Sequence, residues 1–262
     1  MEVPRFYVEN LTAPRCRLSA EEAHHARHVL RTRPDDPLIV FDGRGGWAAG
    51  TMQFQGAAVF CVLSEAPHQD PPPRLDWILA SAVPKGQRAS MLVEQASQLG
   101  VPRLIWLHCA HSVVRPAAEG EKMRSWRRTA IEAAKQCGRN FVLALDGPTP
   151  LEQLLEHPAY SARDVLWADP AAAQSLWTWL DRHVLAAAVA SSAPIPGPVI
   201  LIGPEGDFSP RERDLLSGTR RARPVRLAEH ILRVETAALA CAALLAAVGD
   251  RAAPAPGVNP AA

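Results

Sequence analysis

Two short segments carry the strongest chemical signal in the sequence. Leu201–Pro210, LIGPEGDFSP, runs an apolar strand into Gly203-Pro204-Glu205-Gly206 and then into Ser209-Pro210-Arg211-Glu212. A tight turn of that composition exposes backbone N–H and C=O groups, and its glycines let a small ligand approach closely. Leu227–Ala237, LAEHILRVETA, follows another apolar stretch and joins Ile231 and Leu232 to Arg233 and Glu235. Aliphatic side chains beside both signs of charge suit a ligand with an apolar body and polar handles. Val83–Arg88, VPKGQR, puts Lys85 and Arg88 between a strand and a helix. Open α/β sheets hold their ligands at such places, although an ordinary basic loop would look the same.

Other segments invite chemistry and lose it on inspection. His24, His25 and His28 suggest metal. Positions 24 and 28 share a helix face, but no carboxylate or Cys accompanies them at ligand spacing. No metal is expected there; an RNA-facing or structural surface is. Asp42-Gly43-Arg44-Gly45-Gly46 fits a loose dinucleotide-type fingerprint. That fingerprint needs a helix next, whereas Trp47–Phe54 carries strand formers, so the segment reads as a β-hairpin turn. Arg124, Arg127 and Arg128 with Trp126 form a basic cluster, which on most proteins is a solvated face.

The elements that must position these groups divide at Pro67–Pro73, PHQDPPP, where consecutive prolines favour an extended spacer. Before it, Arg5–Val8, Leu38–Phe41, Trp47–Gln53 and Ala57–Leu63 read as strands. A capping box at Ser19–Glu22 opens a helix through Leu30. After it, strands at Leu75–Val83, Leu104–Cys109, Val165–Ala168, Val199–Ile202 and Val225–Leu227 alternate with helices. Those helices are Arg88–Leu99, Glu119–Cys137, one starting at Ser209, and Glu235–Val248. Such alternation implies a parallel sheet covered on both faces. The expected layout is a small β-rich domain over residues 1–70, an α/β domain over 74–250 and a disordered tail over 251–262.

The 262 residues are 48% hydrophobic and 21% charged, which excludes a mostly disordered chain. The longest strongly apolar stretch, Ala237–Val248, is 12 residues long, too short to span a bilayer. No apolar leader is visible at the N-terminus. Five Cys are scattered and never in C-x-x-C, which points to a reducing cytoplasm and neither a disulfide framework nor a zinc ribbon. The net charge is only +1, but it is segregated. Residues 85–140 hold ten Lys/Arg against four acids, residues 141–210 two against eight, and residues 211–233 seven against three. Of 28 cations, 25 are Arg. Arginine contacts phosphate bidentately and stacks on bases, although an Ala-, Pro- and Arg-rich chain is also what a GC-rich genome writes.

Seven segments in order resemble the RsmE family of 16S rRNA uridine-N3 methyltransferases, in the SPOUT superfamily. They are PRFYV at 4–8, HHARHVLR at 24–31, FDGRGG at 41–46, PKGQR at 84–88, RRTAIEAAKQCGR at 127–139, LIGPEGDFSP at 201–210 and ILRVETA at 231–237. The resemblance covers residues 4 to about 248. It implies an α/β fold: a C-terminal SPOUT-type domain with a trefoil-knotted parallel sheet, and an N-terminal PUA-like β-barrel domain that binds RNA. It implies methyl transfer from S-adenosylmethionine to N3 of one uridine in the rRNA of the small ribosomal subunit. It also implies a homodimer with its active site near the subunit interface. Ala237–Val248, apolar nearly all round, fits a dimer face or burial within its own chain. The family pattern usually reads Gly-Pro-Glu-Gly-Gly-Phe, and here Asp207 replaces the second of the paired glycines. Ala228 and His230 stand where Gly and Arg are usual, and Val234 where Thr is common; Gly206, Arg233 and Glu235 are kept.

On this resemblance the cofactor lies among Ala168, Ile202, Gly203, Pro204, Glu205, Gly206, Leu227, Ile231 and Leu232. Uracil N3 is a weakly acidic imide nitrogen on the Watson–Crick edge, so the base must be flipped out and shed a proton. Arg233 is the candidate cation for the developing imide anion. Glu205 or Glu235 accepts the proton or orients Arg233; alternatively Glu205 shapes the turn and Glu235 starts the last helix. Arg5, Arg27 and Arg31, with Lys85 and Arg88, are the expected phosphate contacts. Two alternatives stay open: a non-catalytic RNA-binding protein, and a tRNA methyltransferase of the same superfamily. The PUA-like N-terminus and HHARHVLR argue against the latter.

Overall fold

The computed structural model describes residues 3–185 and 193–252. They group into two units. One gathers the chain up to Pro72 together with Ala130–Val142; the other holds Pro73–Thr129 and the chain from Leu143 onward.

The first unit is built on β1 (Arg5–Tyr7), β2 (Arg15–Arg17), β3 (Pro37–Phe41), β4 (Gly46–Gln55), β5 (Ala58–Leu63) and β6 (His68–Gln69). The order is β1-β3-β4-β5-β2, with β6 paired to β4. Along β4, Ala48 and Met52 are buried while Ala49 and Thr51 are less so, the alternation of a half-buried strand. These side chains join Phe6, Leu38, Val40 and Val59 in one core. The Gly-rich segment is the expected hairpin turn between antiparallel β3 and β4. Asp42 Oδ1 accepts from Arg44 N at 2.7 Å and Gly46 N at 2.9 Å, and Gly43 and Gly45 take φ of +72° and +97°. The short strands β2 and β6 were not expected; β6 lies inside the proline-rich segment.

The expected helix through Leu30 is regular only over α1 (Ala20–His24); it runs on as a wider π-turn, His25–Val29, capped by Leu30. Ser19 Oγ caps it, accepting from Glu22 N at 3.1 Å. The reciprocal half of the capping box is missing because Glu22 is otherwise engaged. Its carboxylate accepts from Tyr7 N at 3.3 Å and from Lys135 Nζ at 3.0 and 3.1 Å. Both charged side chains are enclosed, at 8% and 9% exposure, and burial pushes the Glu22 carboxyl up although the Lys135 ammonium opposes it.

The second unit has a six-stranded sheet: β7 (Leu75–Ala82), β8 (Arg103–His108), β9 (Ala144–Pro150), β10 (Val165–Ala168), β11 (Ile195–Ile202) and β12 (Ala222–Val225). All pairs are parallel, in the order β12-β10-β11-β7-β8-β9. The helices are α2 (Arg88–Gln98), α3 (Glu121–Gln136), whose residues from Ala130 on belong to the first unit, α4 (Leu151–Glu156), α5 (Leu176–Leu180), α6 (Pro210–Gly218) and α7 (Val234–Ala252). α6 starts as expected, with Ser209 and Glu212 closing a reciprocal capping box and Pro210 at the first turn. β9, α4 and α5 were not expected. α7 buries Ala238, Cys241, Ala242, Leu245 and Val248 and packs on β7, β11 and α2, so much of its apolar surface is used within its own chain. Ala243 and Ala247 remain exposed. Of the expected tail, Arg251 and Ala252 end α7, and residues 253–262 lie outside the described ones. No helix among the described residues is long and apolar enough to cross a membrane.

The strand order reverses beside β7. β8 and β9 lie to one side of it; β11, β10 and β12 lie to the other. Open parallel sheets bind ligands at the carboxyl ends of strands at such a reversal.

Candidate active site

A cavity of about 430 Å³ opens at the carboxyl ends of β10, β11 and β12, to one side of that reversal, within the size range of small-molecule sites. Three loops build it, each leaving the carboxyl end of a strand. Ala168, Asp169 and Pro170 come from the loop after β10, and Ile202–Glu205 with Asp207 from the turn after β11. Leu227, Ala228 and His230–Arg233 come from the loop after β12, with Val234 and Ala237 from the start of α7. Eight of the expected cofactor residues therefore share one wall set, joined by Arg233. Gly206 does not. A Cβ there would meet His111 Cβ at 3.1 Å, so this glycine makes room for His111. Glu235 does not reach the cavity either, since a helix turns away from the Val234–Ala237 edge.

The turn after β11 is tied down from several sides. Asp207 N donates to Pro204 O at 2.9 Å. His111 Nδ1 donates to Gly206 O at 2.8 Å and to Asp207 O at 3.0 Å. The Phe208 ring lies under Gly203, where an added Cβ would meet it at 3.0 Å, and Phe208 is buried in the core. Asp207 sits at φ +62°, in the left-handed region that a few short polar residues tolerate. Its Oδ1 accepts from Phe208 N at 2.7 Å, and its Oδ2 pairs with Arg213. Arg213 also donates to Asp169 Oδ2 at 3.2 Å. The Asp207 carboxylate pushes the Arg213 guanidinium pKa up.

Sequence reasoning missed His111, Asp169 and Arg213. Asp169 directly follows a strand end, the same signal that singled out Gly203. His111 and Arg213 carried no local signal, because their partners lie in other loops.

Arg233 is exposed on the cavity rim, and its guanidinium has no hydrogen bond or ion pair among the described residues. Glu235 Oε1 instead accepts from Arg88 Nη1 at 3.2 Å. Glu235 is 5% exposed, and its Oε2 is buried without a partner. Arg88 Nε also donates to Lys85 O at 3.3 Å, so Glu235 and Arg88 together hold the loop after β7.

In the first unit the expected phosphate contacts divide. Arg31 is exposed with no partner for its side chain among the described residues. Arg27 is committed: Nη2 donates to Gly56 O at 2.6 Å and Ala58 O at 3.3 Å, and the guanidinium lies 4.5 Å from the Phe54 ring centre. Arg5 pairs with Asn140 Oδ1 and lies over Phe41. The His24 and His28 rings lie 4.7 Å apart, tilted by 41°. No group of three or more His, Cys, Asp or Glu among the described residues is placed to hold a metal.

A larger cavity, about 540 Å³, lies near the amino ends of β7 and β8. Its two arginines, Arg103 and Arg163, pair with its two aspartates, Asp146 and Asp76. Its charges are therefore spent on each other, and the cavity at the carboxyl ends of β10, β11 and β12 is the better site.

Residues 71–246 match the family described as RNA methyltransferase domain, and residues 18–54 match the RNA methyltransferase PUA domain. A Mycobacterium tuberculosis protein named Ribosomal RNA small subunit methyltransferase E is 29% identical over 253 residues, covering 93% of this chain and 90% of its own. A Bacillus subtilis protein of the same name is 26% identical over 230 residues, covering 87% and 88%. Among solved structures, a putative methyltransferase from Legionella pneumophila in complex with bound SAM aligns with a TM-score of 0.78 at 28% identity, over 94% of this chain and 98% of that one. A probable rRNA-methyltransferase from Porphyromonas gingivalis aligns with a TM-score of 0.74 at 26% identity, over the same shares. With the RNA methyltransferase domain match running through most of the chain and the cavity inside it, the chain belongs to the RNA methyltransferase family.

Proposed function

We propose that this chain methylates N3 of a uridine in small-subunit (16S) rRNA, with S-adenosylmethionine as the methyl donor. The observation that carries the reading is the composition of the cavity beyond β10, β11 and β12. Aliphatic walls from Ile202, Leu227 and Leu232 face a rim bearing Asp169, Glu205, Asp207 and the unpartnered Arg233. That donor set fits the cofactor: the aliphatic side chains take an adenine, and the carboxylates complement a cationic sulfonium and ammonium. When bound, S-adenosylmethionine supplies an electrophilic methyl group.

The protein's own part is orientation and charge. The uridine must be turned out of its stack to present N3, in line with the donor. Arg233 meets the uracil carbonyls and stabilises the imide anion as the proton leaves. Glu205, on the same rim, accepts that proton or orients Arg233. Glu235 is a positioning residue in this scheme, because it faces Arg88 and not the cavity. Arg31 and Lys85, exposed and without side-chain partners among the described residues, bind phosphate; Arg88 holds its loop in place for that contact. Arg5 and Arg27 support the first unit from within.

The reading includes an RNA-binding unit over residues 1–70, a catalytic, trefoil-knotted unit over 74–250, a homodimer and a cytoplasmic setting. The test is mass mapping of methylated nucleotides in rRNA from a strain lacking this protein, with and without complementation. Loss of one N3-methyluridine from the small-subunit RNA, restored by the intact gene and not by an Arg233→Ala copy, is the expected result. An unchanged methylation map would overturn the reading.

A further inference from the structure

Three charged side chains join two walls of the cavity. Asp169 follows β10, Asp207 follows β11, and these strands are neighbours in the sheet. Arg213, in the first turn of α6, puts one guanidinium nitrogen on each carboxylate. The remaining oxygens are also used: Asp169 Oδ1 accepts from Ala171 N at 2.9 Å, and Asp207 Oδ1 from Phe208 N at 2.7 Å. Asp169 is largely enclosed, its side chain 15% exposed, whereas Arg213 and Asp207 stand at the solvent edge, 41% and 55% exposed. Both aspartates line the cavity.

The backbone gives this arrangement its interest. Position 207 has φ +62°, where glycine is the undemanding choice. An aspartate there accepts some strain, and in return its carboxylate reaches Arg213. Without Arg213 the two carboxylates would face each other as like charges across the cavity mouth and drive the loops apart. With it, the fork of the guanidinium fixes their separation, which a lysine cannot do bidentately. One negative charge is left over at the mouth, and that charge suits a cationic ligand.

We propose that Asp207, Arg213 and Asp169 form a clamp that sets the width of the cavity between the loops after β10 and β11, and so sets affinity for S-adenosylmethionine. The three act as positioning residues. The clamp rests on the cofactor reading above, and the experiment separates the two. Calorimetric titration of the full chain with S-adenosylmethionine comes first; if the unaltered protein does not bind it, the cofactor reading itself fails.

Given binding, Asp207→Gly and Arg213→Gln should each weaken affinity about tenfold, a coupling of the size seen for neighbouring charged groups. The double variant should be little weaker than either single one, because each removes the same link. Asp207→Gly trades the left-handed strain for two lost hydrogen bonds and a freer unfolded chain, so its melting temperature without ligand should stay close to that of the unaltered protein. Weaker binding in a fold of nearly equal stability is an outcome a merely structural role would not give. Arg213→Lys should recover only part of the loss. The affinity of the unaltered protein should also fall more steeply with added salt than that of Asp207→Gly. Unchanged affinity in Asp207→Gly, or fully additive losses in the double variant, would overturn the clamp.

Discussion

The loops after β11 and β12 line the same cavity and are held in opposite ways. Gly203–Phe208 has its own turn bond, a histidine on two of its carbonyls, an arginine on its aspartate and a buried phenylalanine beneath it. Leu227–Leu232 has no backbone hydrogen bond among the described residues, and Ile231 is 84% exposed. One wall is tied down by several contacts, and the other has few among the described residues. A fixed wall suits a cofactor that must present one methyl group in one direction. A loose wall carrying Arg233 suits a flipped base that arrives from a large RNA and has to be let go afterwards.

The sharpest way to break this contrast is to truncate the support of each loop. Phe208→Ala removes a buried ring and should cost about 3–5 kcal/mol of unfolding free energy, read by denaturant titration. Ile231→Ala should change that free energy by less than about 0.5 kcal/mol while weakening ligand binding. Similar stability losses in the two variants would erase the distinction.

Arg233→Ala probes the loose wall's chemistry. Loss of a contact made to the transition state lowers turnover at saturating substrate, and about 10²-fold or more is expected in single-turnover methylation of small-subunit RNA. A change confined to KM would reduce Arg233 to a binding residue.

A smaller effect separates two arginines of the first unit. Arg27→Ala removes two carbonyl contacts and a ring contact, so it should cost about 1 kcal/mol of stability. Arg31→Ala should leave stability alone, raise KM for RNA and flatten its salt dependence. The reverse pattern would restore Arg27 to the RNA surface.

The mildest test uses thiols. Burial pushes Cys61, Cys109 and Cys241 up to about 12, so at pH 8 they stay protonated and enclosed. Cys16 is buried too, and Cys137 is exposed. One equivalent of a maleimide should therefore label Cys137 alone at pH 8, with S-adenosylmethionine making no difference. Labelling of Cys109 would mean that the chain beside His111 opens readily and that the tied-down wall is not fixed.

What could be read from sequence was what is local. Ser209, Pro210 and Glu212 mark a helix start within four residues, and Gly203–Gly206 marks a turn after an apolar strand; both stand where expected. Leu227–Leu232 was legible for the same reason. β9 was not, because Gly147, Pro148 and Pro150 contradict the usual strand composition, and its pairing with β8 is irregular after Ile105. β2 and β6 are too short for a periodic signal. The strand order, on which the cavity depends, has no local trace at all. Glu22 shows how a correct local rule is overruled. Its spacing from Ser19 promises a capping box, yet a lysine 113 residues away takes the carboxylate. His111 on the turn after β11 and Arg213 on Asp169 were invisible for the same reason.

That Glu22–Lys135 pair has a consequence for how the chain is made. The first unit contains residues up to Pro72, but Lys135, which neutralises the enclosed Glu22, and Asn140, which receives Arg5, are synthesised much later. At about 5–20 residues per second, the roughly 60 residues between Pro72 and Lys135 delay completion by about 3–12 seconds. During that interval Glu22 lacks the ammonium that faces it in the finished unit. The N-terminal segment is thus first in the message and yet unable to finish first, and a fragment ending at Pro72 would inherit that unfinished state permanently.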